Sequence, residues 1–301
     1  MLPDLTLRRR WSDKVGDVPD HQSVDANDVL AALGLPPASD LRVMPGAEAT
    51  VWRAVVDGVP LAVRLHRIDS TTVERELVAL RVARTAGVPV PEVVATGTWH
   101  DRHVAVTSWC DGATVGELLR TTAGDEHSDV AHRFGHAQAI LHSTELSHLD
   151  LVELRAVGRA VPDVGIPGSS TLLHLDFHPF NVLDDGSRVT GIVDWANASV
   201  GDRRFDIART RGLFGLAGVF APELAARAER AADHVAERWA EGYSSVLPMP
   251  DDDEMAPFFV AAAATMAADW APRTRSGEVD GTILAAIERW GARWQPGGSQ
   301  R

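Results

Sequence analysis

The chain has 301 residues and a formal charge of −13 at pH 7, from 29 basic and 42 acidic side chains. So acidic a protein repels phosphate backbones and anionic lipid surfaces, and we expect neither a nucleic acid nor a membrane as its partner. Hydrophobic residues make up 45% of the chain, which is typical of a globular protein with a buried core. No apolar run reaches the roughly 20 residues that cross a bilayer, and the N-terminus lacks a signal-peptide pattern. We therefore expect a cytoplasmic protein.

Cysteine and lysine are both rare. Cys110 is the single cysteine, so the chain forms no intrachain disulfide and no cysteine metal cluster. Lys14 is the only lysine. An arginine is therefore expected wherever the chemistry of a site usually employs a lysine.

The first part of the chain predicts short strands after a loose arm. Residues 1–24 show no sustained periodicity, and a short helix follows from Asp25 to Gly34. The dipeptide Asp57-Gly58 is a strong hairpin signal between two β-branched segments. Ser70 is a suitable N-cap for the next helix. The predicted strands cover residues 41–44, 50–56, 60–66, 91–99 and 103–109, and the helix that crosses behind the hairpin covers 70–85.

After Gly112 the apolar residues recur three or four positions apart, as in helices. A non-helical island at 171–196 interrupts this pattern, with a turn at Asp185-Gly186 between two apolar strands. The contrast predicts an α+β protein with an antiparallel N-terminal sheet and a mostly helical C-terminal lobe. The predicted domains are the arm (1–24), an N-lobe (25–110) and a C-lobe (111–301), and the predicted C-lobe helices cover 115–120, 129–141, 221–242, 254–270 and 281–290.

Four polar residues of the island follow a pattern suited to phosphoryl transfer. His174, Asp176 and Asn181 form H-x-D-x-x-x-x-N, and Asp194 ends a strand thirteen residues later. Any one of them alone is more simply a turn residue or a packed histidine, but the four in this order favour a site. Asp176 would accept the proton of an attacking hydroxyl. Asn181 and Asp194 would hold Mg²⁺ between nucleotide phosphates, because this hard cation prefers oxygen ligands.

Three segments resemble the aminoglycoside phosphotransferase family, small-molecule kinases with a two-lobed, protein-kinase-like fold. HLDFHPFNVL (174–183) is similar to the family's catalytic loop. GIVDWANAS (191–199) is similar to its metal-binding segment, and GDRRFDIAR (201–209) to the motif that follows. The resemblance covers roughly residues 28–295.

The resemblance implies a role for each of these residues. Asp176 is the expected catalytic base, and His174 is grouped with it as a support of the catalytic loop. Asn181 and Asp194 are the expected Mg²⁺ ligands, and Asp206 the structural anchor of the loop.

The resemblance also implies a nucleotide site in the N-lobe. Glu76 matches the family's ion-pairing glutamate, and Arg64 stands where kinases usually carry the phosphate-binding lysine. Gly46 is the lone glycine where a glycine-rich phosphate loop is expected, and an ordinary turn explains it about equally well. Backbone groups of Ser108 and Cys110, in the segment between the lobes, would hold the adenine.

The function expected from these features is transfer of the γ-phosphoryl group of ATP or GTP, with Mg²⁺, to a hydroxyl of an aminoglycoside-like antibiotic, which confers resistance. The same motifs serve metabolic kinases with choline, homoserine, sugar or macrolide acceptors. A nucleotide-binding module without catalysis is a third alternative, favoured by Arg64 and the weak phosphate loop. The sequence does not set the oligomeric state.

The distribution of charge favours a cationic acceptor. Residues 1–110 hold 12 basic and 14 acidic side chains, whereas residues 111–301 hold 17 and 28. The acidic excess therefore lies in the lobe where the acceptor is expected to bind. A solvated helix N-terminus explains the run at 251–254 equally well. The candidate acceptor contacts are Asp251, Asp252, Asp253, Glu254 and Asp269.

Overall fold

The helices and strands of the chain come from a computed structural model, which describes residues 24–44, 49–67, 69–166, 168–216, 219, 225–277 and 280–295. Gly46 and nearly all of the expected N-terminal arm lie outside the described residues. The strands are β1 (Asp40–Met44), β2 (Ala49–Val56), β3 (Val59–His66), β4 (Val93–Trp99), β5 (Arg102–Ser108), β6 (Ala113–Thr114), β7 (Ser170–Leu173), β8 (Val182–Asp184), β9 (Val189–Ile192) and β10 (Ser199–Asp202). The helices are α1 (Ala26–Ala32), α2 (Ser70–Thr85), α3 (Val115–Thr121), α4 (Gly124–His142), α5 (His148–Val157), α6 (Arg203–Gly215), α7 (Ala225–Ser244), α8 (Asp252–Arg275) and α9 (Thr282–Ala292).

The N-terminal strands form one antiparallel sheet in the order β1-β2-β3-β5-β4. The predicted hairpin turn joins β2 to β3, with Asp57 at φ 49° and Gly58 at φ 79°. Both angles lie in the left-handed region that this tight turn requires. The antiparallel sheet, followed by a helical region, confirms the predicted α+β class.

Alternation along β3 separates the two faces of the sheet. Leu61, Val63 and Leu65 are buried in a small core together with α1. Arg64 therefore lies on the opposite face. Its cross-strand neighbours are Val51 on β2 and Ala105 on β5. These small side chains leave room around the guanidinium on the face turned towards α2.

Helix α2 packs into the larger, C-terminal core. Ala79, Leu80 and Ala83 on this helix are buried with side chains from the C-terminal helices. Arg81 forms ion pairs with Asp150 and Glu153 of α5. The helix behind the hairpin is therefore attached to the C-lobe, and the boundary at residues 110–111 stays a prediction.

Two helices were not predicted, and several bounds differ. The short, partly exposed α5 has a weak apolar period, and its signal is the capping box of Ser147 and Asp150. The sequence identifies residues 201–209 as a motif but predicts no helix there, whereas the structure forms helix α6. Helix α2 is capped by Asp69 instead of Ser70. Within the described residues, no helix is long and apolar enough to cross a membrane.

Helices α4 and α7 approach closely because glycines line their contact. A Cβ added at Gly135 would overlap the carbonyl oxygen of Trp239, and one added at Gly242 would overlap that of His132. The two helices bury Phe134 and Trp239 between the elements around them. This crossing positions the C-terminal end of α4, which reaches the site described below.

We expect Gly135→Ala to destabilise the protein by about 1 to 2 kcal/mol in urea unfolding. Overpacking against backbone outweighs the gain of about 1 kcal/mol that alanine brings to a helix interior. Gly281→Ala is the control, because its Cβ would meet only Thr274 Cγ2 at 3.8 Å. Equal stability of the two variants would contradict the close helix crossing.

Candidate active site

The loop after β7 is held by one buried carboxylate. Asp206, in the first turn of α6, accepts the backbone N–H of His174 at Oδ2 (3.0 Å) and that of Leu175 at Oδ1 (2.8 Å). Leu175 has φ 61°, in the left-handed region that costs a leucine free energy. The two hydrogen bonds maintain this conformation, and Asp176 follows directly from it.

Asp206 is itself held by a chain of hydrogen bonds. His142 Nε2 lies 3.0 Å from Asp206 Oδ2, and His142 Nδ1 lies 2.9 Å from the Tyr243 hydroxyl, to which Arg203 donates at 2.8 Å. Burial acts to raise the pKa of Asp206, but its hydrogen bonds, that from His142 first among them, hold the pKa below its usual value. With Asp206 ionised, His142 Nε2 donates a hydrogen bond to the Asp206 carboxylate, and His142 Nδ1 accepts a hydrogen bond from the Tyr243 hydroxyl. Every member of the chain is then satisfied.

His174 supports the loop from the inside. It has no exposed surface, and Nε2 donates to the Val193 carbonyl at 3.0 Å. Nδ1 accepts the backbone N–H of Asp176 at 3.3 Å. Burial lowers the pKa of His174, which favours the neutral ring that this pair of bonds needs. These contacts place His174 behind the loop, where it would support Asp176 from within, and its grouping with the catalytic residues stays a prediction.

Asp176 and Asn181 lie in contact. Asn181 Nδ2 donates to the carbonyl of Asp176 at 3.0 Å and reaches its Oδ2 at 3.4 Å. The backbone N–H of Val193 donates to the Asn181 carbonyl at 2.9 Å, which joins this loop to the segment of Asp194. The Asp176 side chain is 28% exposed, and His178 Nε2 lies 3.7 Å from its Oδ2. The carboxylate is accessible to a substrate.

The donor set of Asn181 and Asp194 fits a magnesium ion. The amide nitrogen of Asn181 faces Asp176, so its Oδ1 is turned away from that residue. Asp194 adds a half-buried carboxylate at φ 65°. Among the described residues, no group of three or more His, Cys, Asp or Glu side chains could hold a metal ion. Two protein oxygens suit Mg²⁺, which usually takes its other ligands from phosphates and water.

The Arg64–Glu76 ion pair forms across the face of the sheet that carries Arg64. Glu76 is only 2% exposed. Burial raises its pKa and the Asp194 charge adds to this, whereas Arg64 acts in the opposite direction. The arginine thus keeps a pairing partner of the kind expected from the sequence, close to the proposed metal ligand.

Arg75 joins the lobes beside this pair, and sequence analysis missed it. Its Nε donates to the Val157 carbonyl and its NH1 to the Ala196 carbonyl, both at 2.7 Å. Ala196 lies two residues after Asp194, so α2 is tied directly to the Asp194 segment. In the sequence, an arginine on a helix is most simply interpreted as a solvent-exposed residue. The only indication of a role for Arg75 is its position next to Glu76.

The segment between the lobes follows β5. The Ser108 N–H donates to the Glu92 carbonyl at 2.8 Å, so this group is engaged within the sheet. Burial raises the pKa of the Cys110 thiol to about 11, with Asp111 adding to the shift. Its sulfur lies against Gly191, where a Cβ would overlap it. Adenine contacts by the Ser108 carbonyl and the Cys110 backbone stay predictions.

Four of the five predicted acceptor contacts serve other partners. Their charges are compensated by arginines or engaged in a helix cap, so the acidic excess does not mark a cation site at these positions. Asp251 caps α8, Asp252 pairs with Arg211, Glu254 with Arg204, and Asp269 with Arg159 and Arg209.

The sequence pattern of the phosphotransferase enzyme family (APH) matches residues 41–161 and 146–258. The chain belongs to this family. The family membership of this phosphotransferase confirms the kinase-like fold and the class of enzyme that the sequence predicts. The roles of individual residues stay predictions.

Solved structures share the fold of this phosphotransferase at low sequence identity. The aminoglycoside phosphotransferase APH(4)-Ia is 16% identical, with a TM-score of 0.63 over 90% of this chain and 98% of that one. A thermostable mutant of it forms a ternary complex with ADP and hygromycin B. The macrolide 2′-phosphotransferase MphH from Brachybacterium faecium is 19% identical, with a TM-score of 0.56 over 92% of this chain and 100% of that one.

A curated relative matches only a short segment of the phosphotransferase. The uncharacterized protein YcbJ of Bacillus subtilis (strain 168) is 44% identical over 50 residues, which are 16% of each chain. The chain thus matches about a sixth of that relative's length.

His66 is a buried histidine two residues beyond Arg64. Within the described residues, neither ring nitrogen has a hydrogen-bond partner. Burial lowers its pKa to about 3, and the charges of Arg64, His103 and Arg102 contribute. The folded phosphotransferase therefore keeps this ring neutral where an unfolded chain protonates it.

We expect His66→Leu to flatten the pH dependence of stability. Below the unfolded pKa of 6.5 the unfolded chain binds a proton that the folded protein excludes, so stability falls with pH until about pH 3. Between pH 7.5 and 5.5 the wild type should lose about 1.4 kcal/mol more than the variant in urea unfolding. His148→Gln, at an exposed helix start, should retain the wild-type slope; an unchanged slope in His66→Leu would contradict the neutral buried ring.

Proposed function

We propose that this protein is an ATP-dependent kinase of a small-molecule alcohol. The acceptor hydroxyl attacks the γ-phosphorus, a new phosphorus–oxygen bond forms, and the bond to the bridging oxygen breaks as ADP leaves. The proton of the hydroxyl passes to the Asp176 carboxylate. GTP is the alternative donor.

The observation that supports this proposal is the contact between the Asn181 and Asp176 side chains, in a loop that is joined directly to the Asp194 segment. The contact of Asn181 with Asp176 and the backbone bond from Val193 bring the loop and the Asp194 segment together. The base and the two magnesium ligands would thus lie at one place, as in-line phosphoryl transfer requires. If these residues were ordinary turn residues, their side chains would not need to lie at one place.

Asn181 and Asp194 would hold Mg²⁺. When bound, Mg²⁺ would supply positive charge that offsets the charge developing on the phosphates. Arg64 would contact the phosphates with a charge that does not titrate, and Glu76 would orient its guanidinium. Arg75 would keep Glu76 in register with the Asp194 segment.

The acceptor is the open part of the proposal. The sequence predicts an aminoglycoside-like, cationic acceptor. Four of the five acidic residues proposed to contact it instead pair with arginines or cap a helix. A metabolic acceptor of the same reaction is therefore the stronger alternative. Antibiotic resistance and a cytoplasmic location stay predictions.

A binding module without catalysis is a weaker candidate. Nucleotide binding alone does not need a carboxylate at Asp176 held by a strained turn. The cost of that turn, about 1–3 kcal/mol, is expected where a reacting group must be positioned.

We expect Asp176→Asn to lower acceptor-dependent ADP release by at least about 100-fold, because the base is lost. The acceptor for this assay is first identified by screening aminoglycosides, macrolides, amino alcohols and sugars with the wild-type protein. Binding of AMP-PNP with Mg²⁺ should change by less than about threefold, since the asparagine keeps the shape of the aspartate.

Asp28→Asn is the matched control, because it makes the same change at an exposed position on α1. Its turnover should equal that of the wild type. Full turnover in Asp176→Asn would contradict the mechanism, and magnesium-dependent ATP hydrolysis with no phosphorylated acceptor would favour the binding module.

A further inference from the structure

Three arginines converge beside the proposed catalytic carboxylates, and we call them the arginine cluster: Arg75, Arg159 and Arg209. They come from α2, from the loop after α5 and from α6, respectively. Two of them hold consecutive residues of the segment after Asp194. Arg75 donates to the Ala196 carbonyl at 2.7 Å, and Arg159 to Asn197 Oδ1 at 2.8 Å.

The third arginine reaches the catalytic loop. Arg209 Nε donates to the Leu175 carbonyl at 2.5 Å, one peptide before Asp176. Its NH2 lies 3.2 Å from Asp269 Oδ2, and Arg159 pairs with Oδ1 of the same carboxylate. The arginine cluster is therefore one connected group that borders both the Asp176 loop and the Asp194 segment.

Positive charge exceeds negative charge in this group. The carboxylate of Asp269 pairs with Arg159 and Arg209, whereas Arg75 donates to the backbone carbonyls of Val157 and Ala196. Burial lowers the pKa of Arg75 and the charge of Arg159 lowers it further, with a smaller opposing effect from Asp69.

The arginine cluster is open to a ligand. The side chain of Arg159 is 31% exposed and that of Asp269 is 24% exposed. A guanidinium carries five N–H donors, so Arg159 has donors beyond those used on Asn197 and Asp269. Its planar geometry matches a carboxylate or a phosphate.

We propose that the arginine cluster binds an anionic group, a carboxylate or phosphate, carried by the phosphoryl acceptor. This rests on the proposed function, which places the reacting hydroxyl at Asp176. The rest of a small acceptor must then lie against the neighbouring surface, where Arg159 is the exposed member of the arginine cluster. The substrate class is an anionic alcohol, contrary to the cationic acceptor expected from net charge.

Inorganic phosphate is the probe for the site itself. The wild type, saturated with AMP-PNP and Mg²⁺ so that the nucleotide site is filled, is titrated calorimetrically with phosphate. Arg159→Gln should weaken phosphate binding about tenfold, as expected for loss of one charge-assisted contact. Arg159→Lys keeps the charge and should weaken it less.

Arg155→Gln is the matched control, because it removes the same charge at an exposed position on α5 outside the arginine cluster. It should leave phosphate binding unchanged. Absence of phosphate binding in the wild type, or equal binding by Arg159→Gln and Arg155→Gln, would overturn the site. This measurement needs no turnover, so it stands even if the proposed function fails.

A second experiment assigns the anion to the acceptor. Hydroxy acids are compared with their neutral amides in the ADP-release assay. We expect the wild type to prefer the hydroxy acids to the amides, and phosphate to compete with the hydroxy acids. In Arg159→Gln this preference should be lost, because KM for the hydroxy acid rises while kcat changes less. Phosphate binding through Arg159 without these effects would show a free anion as the ligand and overturn the acceptor assignment.

Discussion

The carboxylate of Asp206 is the group on which the geometry of the site depends. It accepts the N–H groups of two successive residues and so holds Leu175 in a left-handed conformation. Arg209, one turn further along the same helix, donates to the carbonyl of Leu175. Helix α6 therefore holds this residue from both sides, and Asp176 takes its direction from it. Charge-assisted hydrogen bonds donated to a buried carboxylate are strong enough to offset the strain of such a turn.

The same helix connects the site to the rest of the C-lobe. The chain from Asp206 through His142 to Tyr243 crosses from α6 to α4 and α7, whose close approach depends on Gly135 and Gly242. On the other side, Arg75 links the Asp194 segment to α2. Because α2 is packed in the C-terminal core, the Arg64–Glu76 pair is positioned by the C-lobe as much as by the sheet.

Local chemistry made part of this predictable from sequence. The Asp57-Gly58 hairpin and the order of Asp176, Asn181 and Asp194 depend on short-range patterns. The structure forms the turn, places Asn181 against Asp176 and joins their loop to the Asp194 segment, while the roles of the three residues stay predictions. Helix α5 was missed because it is short and partly exposed, although the capping box at Ser147 marks its start.

Pairings between distant charges were not predictable. Nothing in the sequence indicates that Asp269 meets Arg159 and Arg209, or that His142 meets Asp206. Net charge sums over a lobe, whereas a ligand meets only the few side chains at its site, so the charge of the acceptor does not follow from it and the cationic acceptor stays a prediction.

Tyr243→Phe tests most directly whether the Asp206 network positions the base. Tyr243 is fully buried and contacts His142 and Arg203, so it lies outside the proposed substrate contacts. Removing its hydroxyl leaves His142 Nδ1 unpaired and should lower kcat about tenfold, as expected for a small displacement of the base, with KM for ATP unchanged. A wild-type kcat in a folded Tyr243→Phe protein would contradict the account.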